Sequence, residues 1–357
     1  MGAAYRCNSI PTVFLDKLEN LVRPLSRLLG TGAAVSALVL VAACSSSSSS
    51  SSGSDVTLKL VAYSTPQPAY TALIAAFQKT SAGKHVKFSQ SYGASGDQAS
   101  AVLSGEAADI VEFSLQTDMT KLVKKNLVAA NWNVNQYKGF VTDSVVSFVV
   151  RKGNPKHIEN WSDLVKPGLK VLTPNPFSSG SARWNILGAY GAAIKQGDTQ
   201  AQATQYLTQL LHNVPVQDAS GAKALTDFIS GEGDVLISYE NEAIYAQEKK
   251  EPVDYVTPSD TLLIQNPIAV TKNSAHPTQA QAFLSFLYSK QGQQIFADTG
   301  YRPVVSGIKS KNSFPTPSGL FTITDLGGWT AATTKFFDPA SGIITKVEKS
   351  LGVSTSK

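Results

Sequence analysis

The chain has 357 residues, 42% hydrophobic and 16% charged, so it can build a sizeable core in about two domains and is not disordered overall. Its formal net charge of +5 comes from scattered Lys and Arg residues with no basic block, which excludes a nucleic-acid footprint. The two cysteines, Cys7 and Cys44, both precede the expected folded region, which excludes a disulfide framework and a thiolate metal site.

Arg6, Lys17, Arg23 and Arg27 form a basic lead, and an apolar run from Leu28 to Ala43 follows. The run is short for a committed membrane span, and small residues end it. Val41-Ala42-Ala43-Cys44 resembles a bacterial lipobox. That implies a signal peptide over residues 1–43, cleavage before Cys44 and lipid on its sulfur. The mature chain is then anchored to the outer face of the cell membrane, stably once two or three acyl chains are present. Residues 44–54 carry the lipidated cysteine and a tether, Ser45–Ser52 followed by Gly53-Ser54, which cannot pack.

Thr57–Tyr63 alternates like a half-buried strand and is broken at Ser64-Thr-Pro-Gln-Pro68. Tyr70–Lys79 has helical spacing, with Tyr70, Leu73, Ile74 and Phe77 on one face. Val86–Ser91 is a second strand, Tyr92-Gly-Ala-Ser-Gly96 a small-residue turn, Asp97–Leu103 a helix start and Asp109–Phe113 a third strand. This βαβαβ order predicts a parallel sheet with helices on its faces. Ser144–Arg151 is an almost unbroken apolar run, as in a buried central strand.

Leu169–Thr173 reads as a strand, Pro174–Phe177 as a loop, and a helix then runs through Ile194, burying Trp184, Leu187 and either Tyr190 or Ile194. Gln202–Leu211 is helical. Asp218–Ala222 is another small-residue turn before a helix. Asp234–Tyr239 is a buried strand, and Glu240-Asn-Glu242 at its end reads as a solvated terminus rather than an acid pair. Ala280–Tyr288 and Gln291–Ala297 are amphipathic helices, Tyr301-Arg-Pro303 is a turn, and Phe321–Leu351 holds the last helices.

Four turns share one character: Ser64-Thr65, Gly93–Gly96, Ser178–Ser181 and Ser220–Ala222. Small residues at a helix start leave backbone N–H groups open to a ligand, and the helix dipole is positive there. Turns at strand C-termini cluster where open α/β sheets bind ligands, so several together favour an anion. Enzyme signatures are missing. His85, His157, His212 and His276 have no metal spacing, and the chain contains no GxSxG elbow and no GxxxxGK[ST] loop.

Gln90-Ser-Tyr-Gly-Ala-Ser-Gly-Asp-Gln-Ala99, Val150–Pro155, Thr173-Pro-Asn-Pro-Phe-Ser-Ser-Gly-Ser-Ala-Arg-Trp184, Gly233-Asp-Val-Leu-Ile-Ser-Tyr-Glu-Asn-Glu-Ala243 and Tyr301-Arg-Pro303 resemble the extracytoplasmic sulfate-binding proteins. These are receptors of ATP-binding-cassette sulfate/thiosulfate importers. The lipobox and serine tether extend the resemblance to its mycobacterial lipoproteins.

The resemblance implies a two-lobed α/β periplasmic-binding-protein fold of type II, hinged, with the ligand cleft between the lobes. Its first lobe would span 55–145 and its second 146–265, with 266–357 returning to the first lobe and adding the C-terminal helices. It implies a monomeric receptor that does no covalent chemistry, needs no cofactor or metal, and hands sulfate (or thiosulfate) to membrane permease subunits. The donors would be the backbone N–H groups of Ser64, Ser95, Gly180, Ser181 and Gly221, with Ala222 as neighbouring candidate, and the Ser179 hydroxyl. Tyr239 stands where the family usually has a tryptophan donor. The competing readings are a molybdate or tungstate receptor of the same fold, a serine hydrolase using Ser179, and a structural envelope lipoprotein.

Overall fold

The computed structural model describes residues 55–355; the expected signal peptide, Cys44 and the serine tether lie outside them. In the first part, β1 (Val56–Tyr63), α1 (Gln67–Phe77), β2 (Val86–Gly93), α2 (Ser95–Leu103), β3 (Ile110–Glu112) and α3 (Gln116–Lys124) follow in order. Both β2 and β3 pair with β1 in parallel. The alternation in β1 sends Leu58, Leu60 and Ala62 to one face, against Tyr70, Phe77, Phe283 and Phe296. Val61 points the other way, against Phe113, Met119 and Leu122.

The long strand β4 (Phe140–Arg151) then leads to β5 (Val171–Leu172), α4 (Gly180–Lys195), α5 (Gln200–His212), α6 (Gly221–Ile229), β6 (Val235–Tyr239), α7 (Glu240–Glu248), β7 (Val253–Val256) and β8 (Leu263–Val270). Residues 146–150 of β4 are buried on both faces, which is why that stretch is apolar at every step but Ser147. Phe148 packs on one side with Trp161 and Trp184, and Val149 on the other with Leu236 and Phe228.

Two strands serve both halves of the sheet, whose order is β2-β1-β3-β8-β4-β6-β5. Residues 140–145 of β4 pair with β8, and residues 146–151 pair with β6 and β7. Likewise β8 leaves β4 after Pro267 and pairs with β3 through Ile268–Val270. The chain closes with α8 (Pro277–Leu287), α9 (Lys290–Asp298), β9 (Arg302–Pro303), α10 (Gly328–Phe337) and α11 (Ile343–Ser350). Trp329 and Phe336 of α10 and Ile344 of α11 join the cluster around Phe148 and Trp184.

Two local expectations are corrected. Arg302-Pro303 is not a turn but the short strand β9, paired with Thr142 and Asp143 of β4. Extended backbone suits the fixed φ of proline, and an edge position does not need its missing N–H. The predicted strand at Leu169–Thr173 shrinks to β5, and the chain turns over residues 176–178 before α4 begins.

Candidate functional site

All four small-residue turns meet in one cleft. Its walls lie so close together that no water-sized sphere fits between them. It is lined by Tyr63, Ser64 and Thr65 after β1; by Gly93, Ala94 and Ser95 between β2 and α2; by Ser114 after β3; by Ser179, Gly180 and Ser181 at the start of α4; and by Ser220 and Gly221 at the start of α6. None of these residues carries a charge. The N-termini of α2, α4 and α6 therefore open at one place, beside the turn that leads into α1, each with N–H groups that lack an intrahelical partner. Neither Ala94 nor Ser179 caps its helix through its side chain, so the first amides of α2 and α4 are left to other acceptors.

The turn before α4 is built by Asn175. Its side-chain oxygen accepts from the Phe177 N–H (2.8 Å) and its carbonyl from the Ser179 N–H (2.8 Å). Its own N–H donates to the Asp218 carbonyl at 2.8 Å, which ties this turn to the one before α6. Ser178 adds a second tie, from its hydroxyl to the Ala219 carbonyl (3.0 Å). The Arg183 guanidinium, mostly buried against the Phe337 ring, donates to the Pro176 carbonyl.

The sequence-derived site residues fall into three groups. Ser64, Ser95, Ser179, Gly180, Ser181 and Gly221 line the cleft together. Ser95 has its hydroxyl committed, donating to Asp118 and accepting from the Ser114 N–H (2.7 and 3.0 Å). The hydroxyls of Ser179 and Ser181 bond each other at 2.8 Å. Ala222 faces a neighbouring cavity of about 170 Å³, which shares Ser64 and Thr65 with the cleft. Tyr239 stands behind the cleft wall, fully buried, its hydroxyl 2.7 Å from that of Ser114. Burial holds the Tyr239 phenol far above its usual range, so it is a neutral hydroxyl.

Ser114 is the residue that sequence reasoning missed. It is a single serine after a three-residue strand, and nothing in its local pattern marks it. In space it is the meeting point of the halves. Its carbonyl accepts from the Trp184 indole N–H (2.9 Å), and its side chain sits where a Cβ on Gly180 would be, 2.5 Å from Oγ. Gly180 is thus needed first for this close approach of α4 to the β3 end.

The reading of Glu240 and Glu242 as a solvated strand end is overturned. No loop intervenes between β6 and α7, so both carboxyls open a helix inside the protein, each at most 3% exposed. Glu240 receives two bonds from Arg302, at 2.7 and 2.9 Å. Glu242 receives bonds from the hydroxyls of Thr65 (3.3 Å) and Ser238. Among the described residues no group of His, Cys, Asp and Glu is placed to hold a metal ion.

The family model for bacterial extracellular solute-binding proteins matches residues 58–302. The chain belongs to that family. Membership places this solute-binding protein outside the cytoplasm. It is 41% identical to the sulfate-binding protein of Synechococcus elongatus over 297 residues, 80% of this chain and 85% of the relative. It is 38% identical to the thiosulfate-binding protein of Escherichia coli, covering 75% of this chain and 84% of that one. Among solved structures, the sulfate-binding protein SubI from Mycobacterium tuberculosis H37Rv is 43% identical, with a TM-score of 0.77, covering 79% of this chain and all of that one. These matches establish the two-lobed α/β fold, and the relatives are binding proteins by name.

Proposed function

We propose that this solute-binding protein captures sulfate, with thiosulfate as second ligand, and delivers it to an ATP-driven import permease without covalent chemistry. One observation carries the reading: three helix starts, the turn before α1 and a lining of uncharged, mostly small residues converge on a single narrow cleft. Sulfate is a dianion with acceptors only, and a site made of donors suits it. A protonated phosphate would set an O–H against a donor, at a cost of ~1–3 kcal/mol for each buried mismatch. The proposed donors are the N–H groups of Ser64, Ser95, Gly180, Ser181 and Gly221 and the Ser179 hydroxyl, with the amide of Ala222 as alternative to that of Gly221. Tyr239 acts by holding the Ser114 hydroxyl.

The hydroxyl partner of Ser179 is Ser181, which is no base, so binding is favoured over nucleophilic attack. The lobes are proposed as residues 55–145 and 146–265, with 266–357 returning to the first and supplying the last helices. Lipid on Cys44 would hold a monomer at the membrane, with the serine stretch as tether. Calorimetry on the full chain in detergent tests the ligand. Binding of sulfate and thiosulfate, with phosphate silent, is expected. Tighter binding of molybdate would change the substrate, and silence toward all four would end the receptor reading.

A further inference from the structure

Glu242 borders the cleft without lining it. One of its oxygens would lie 3.2 Å from a Cβ on Gly221, and the other accepts from Thr65, whose residue forms part of the cleft wall. An ionised carboxylate so close to a captured dianion would oppose it, since like charges at short range in a low-dielectric interior repel strongly. Yet this carboxyl is 3% exposed, its one opening is the neighbouring cavity that Ala222 also lines, and among the described residues no lysine, arginine or histidine pairs with it.

We infer that Glu242 is a positioning residue of the anion cleft that works as a neutral carboxylic acid, fixing the Thr65 and Ser238 hydroxyls without placing charge beside the bound anion. This rests on the anion-receptor reading above.

The surroundings agree from every side. On its own helix, Glu240 is turned away and neutralised by Arg302 of β9. Tyr239 of β6 and Tyr301 beside β9 face it as buried, un-ionised phenols. On α6, Lys223 is exposed and held by Asp218 and Asp227. On the first half only the Thr65 hydroxyl reaches it. Glu112, a further buried carboxyl, accepts from the Tyr70 hydroxyl. Burial lifts the Glu242 carboxyl to about 7, against the smaller opposing effect of its two hydroxyl donors.

A raised value means the proton is present below pH ~7 and is lost from the unliganded cleft as pH rises through it. Anion capture then has to restore the proton, so affinity is full below neutrality and falls by up to about tenfold per pH unit above.

The experiment is sulfate calorimetry on the full chain at pH 6 and pH 9, for the wild type and for Glu242→Gln, an isostere of the neutral acid. Wild-type affinity is expected to be at least about tenfold weaker at pH 9. Glu242→Gln is expected to bind within about threefold of wild type at pH 6 and to show no fall at pH 9. Equal wild-type affinity at both pH values overturns the inference, and that measurement needs no variant. So does a folded Glu242→Gln that loses more than tenfold at pH 6, or one that keeps the wild-type pH dependence, which would move the proton to Glu112. Absence of sulfate binding at pH 6 overturns the receptor reading itself, whereas binding with the wrong pH profile overturns only the role of Glu242.

Discussion

The first turn of α7 faces two regions that solve one problem differently. On the β9 side, the Glu240 carboxylate meets a guanidinium in a two-bond ion pair. On the cleft side, two residues later, Glu242 meets only hydroxyls. Burial raises both carboxyls, and at Glu240 the nearby Arg302 works against that rise. The contrast shows where cations are admitted. A guanidinium fastens the seam between β6–α7 and β9, and none enters the cleft, where it would bind any anion without discrimination.

Removing the fastening should have the largest effect. Arg302→Met leaves a buried carboxyl without its partner, and urea denaturation should show a loss of ~3–5 kcal/mol. A loss below ~1 kcal/mol would put this pair with ordinary surface pairs and dissolve the contrast. Gly180→Ala comes next. Its Cβ would press on Ser114 Oγ at 2.5 Å, and overpacking of this kind costs ~1–3 kcal/mol. Sulfate binding should weaken with it, because the α4 amides move off the β3 end. Wild-type binding would mean that the turns need not be so close.

Ser179→Ala should cost ~0.5–1.5 kcal/mol of sulfate affinity with little change in melting temperature, the mark of a donor facing ligand rather than core. Tyr239→Phe is the smallest and the most discriminating. If Tyr239 works through Ser114, calorimetry should register only ~0.5 kcal/mol, and Ser114→Ala should exceed it. The reverse order would make Tyr239 a direct donor.

These differences track what the residues declare by themselves. The four turns were visible because glycine and serine beside a strand end are conspicuous in sequence. Six of the eight expected site residues accordingly lie in one cleft. Ser114 was hidden because its importance comes from partners 70 and 125 residues away, Trp184 and Tyr239. The burial of Glu240 and Glu242 was hidden for a related reason. A charged residue after a strand looks solvated unless one knows that the helix starts without a loop and that Arg302 arrives from sixty-two residues downstream. The strand β9 was masked by proline, which reads locally as a turn.

The paired crossing of β4 and β8 has a mechanical consequence. Each is an unbroken strand that changes partners partway, near Val146 and near Ile268. Sliding one half along the other would slip two ladders out of register at once, so translation is barred. What remains is torsion spread over a few residues of both strands. If the cleft opens by the two halves moving apart, that motion twists both strands together.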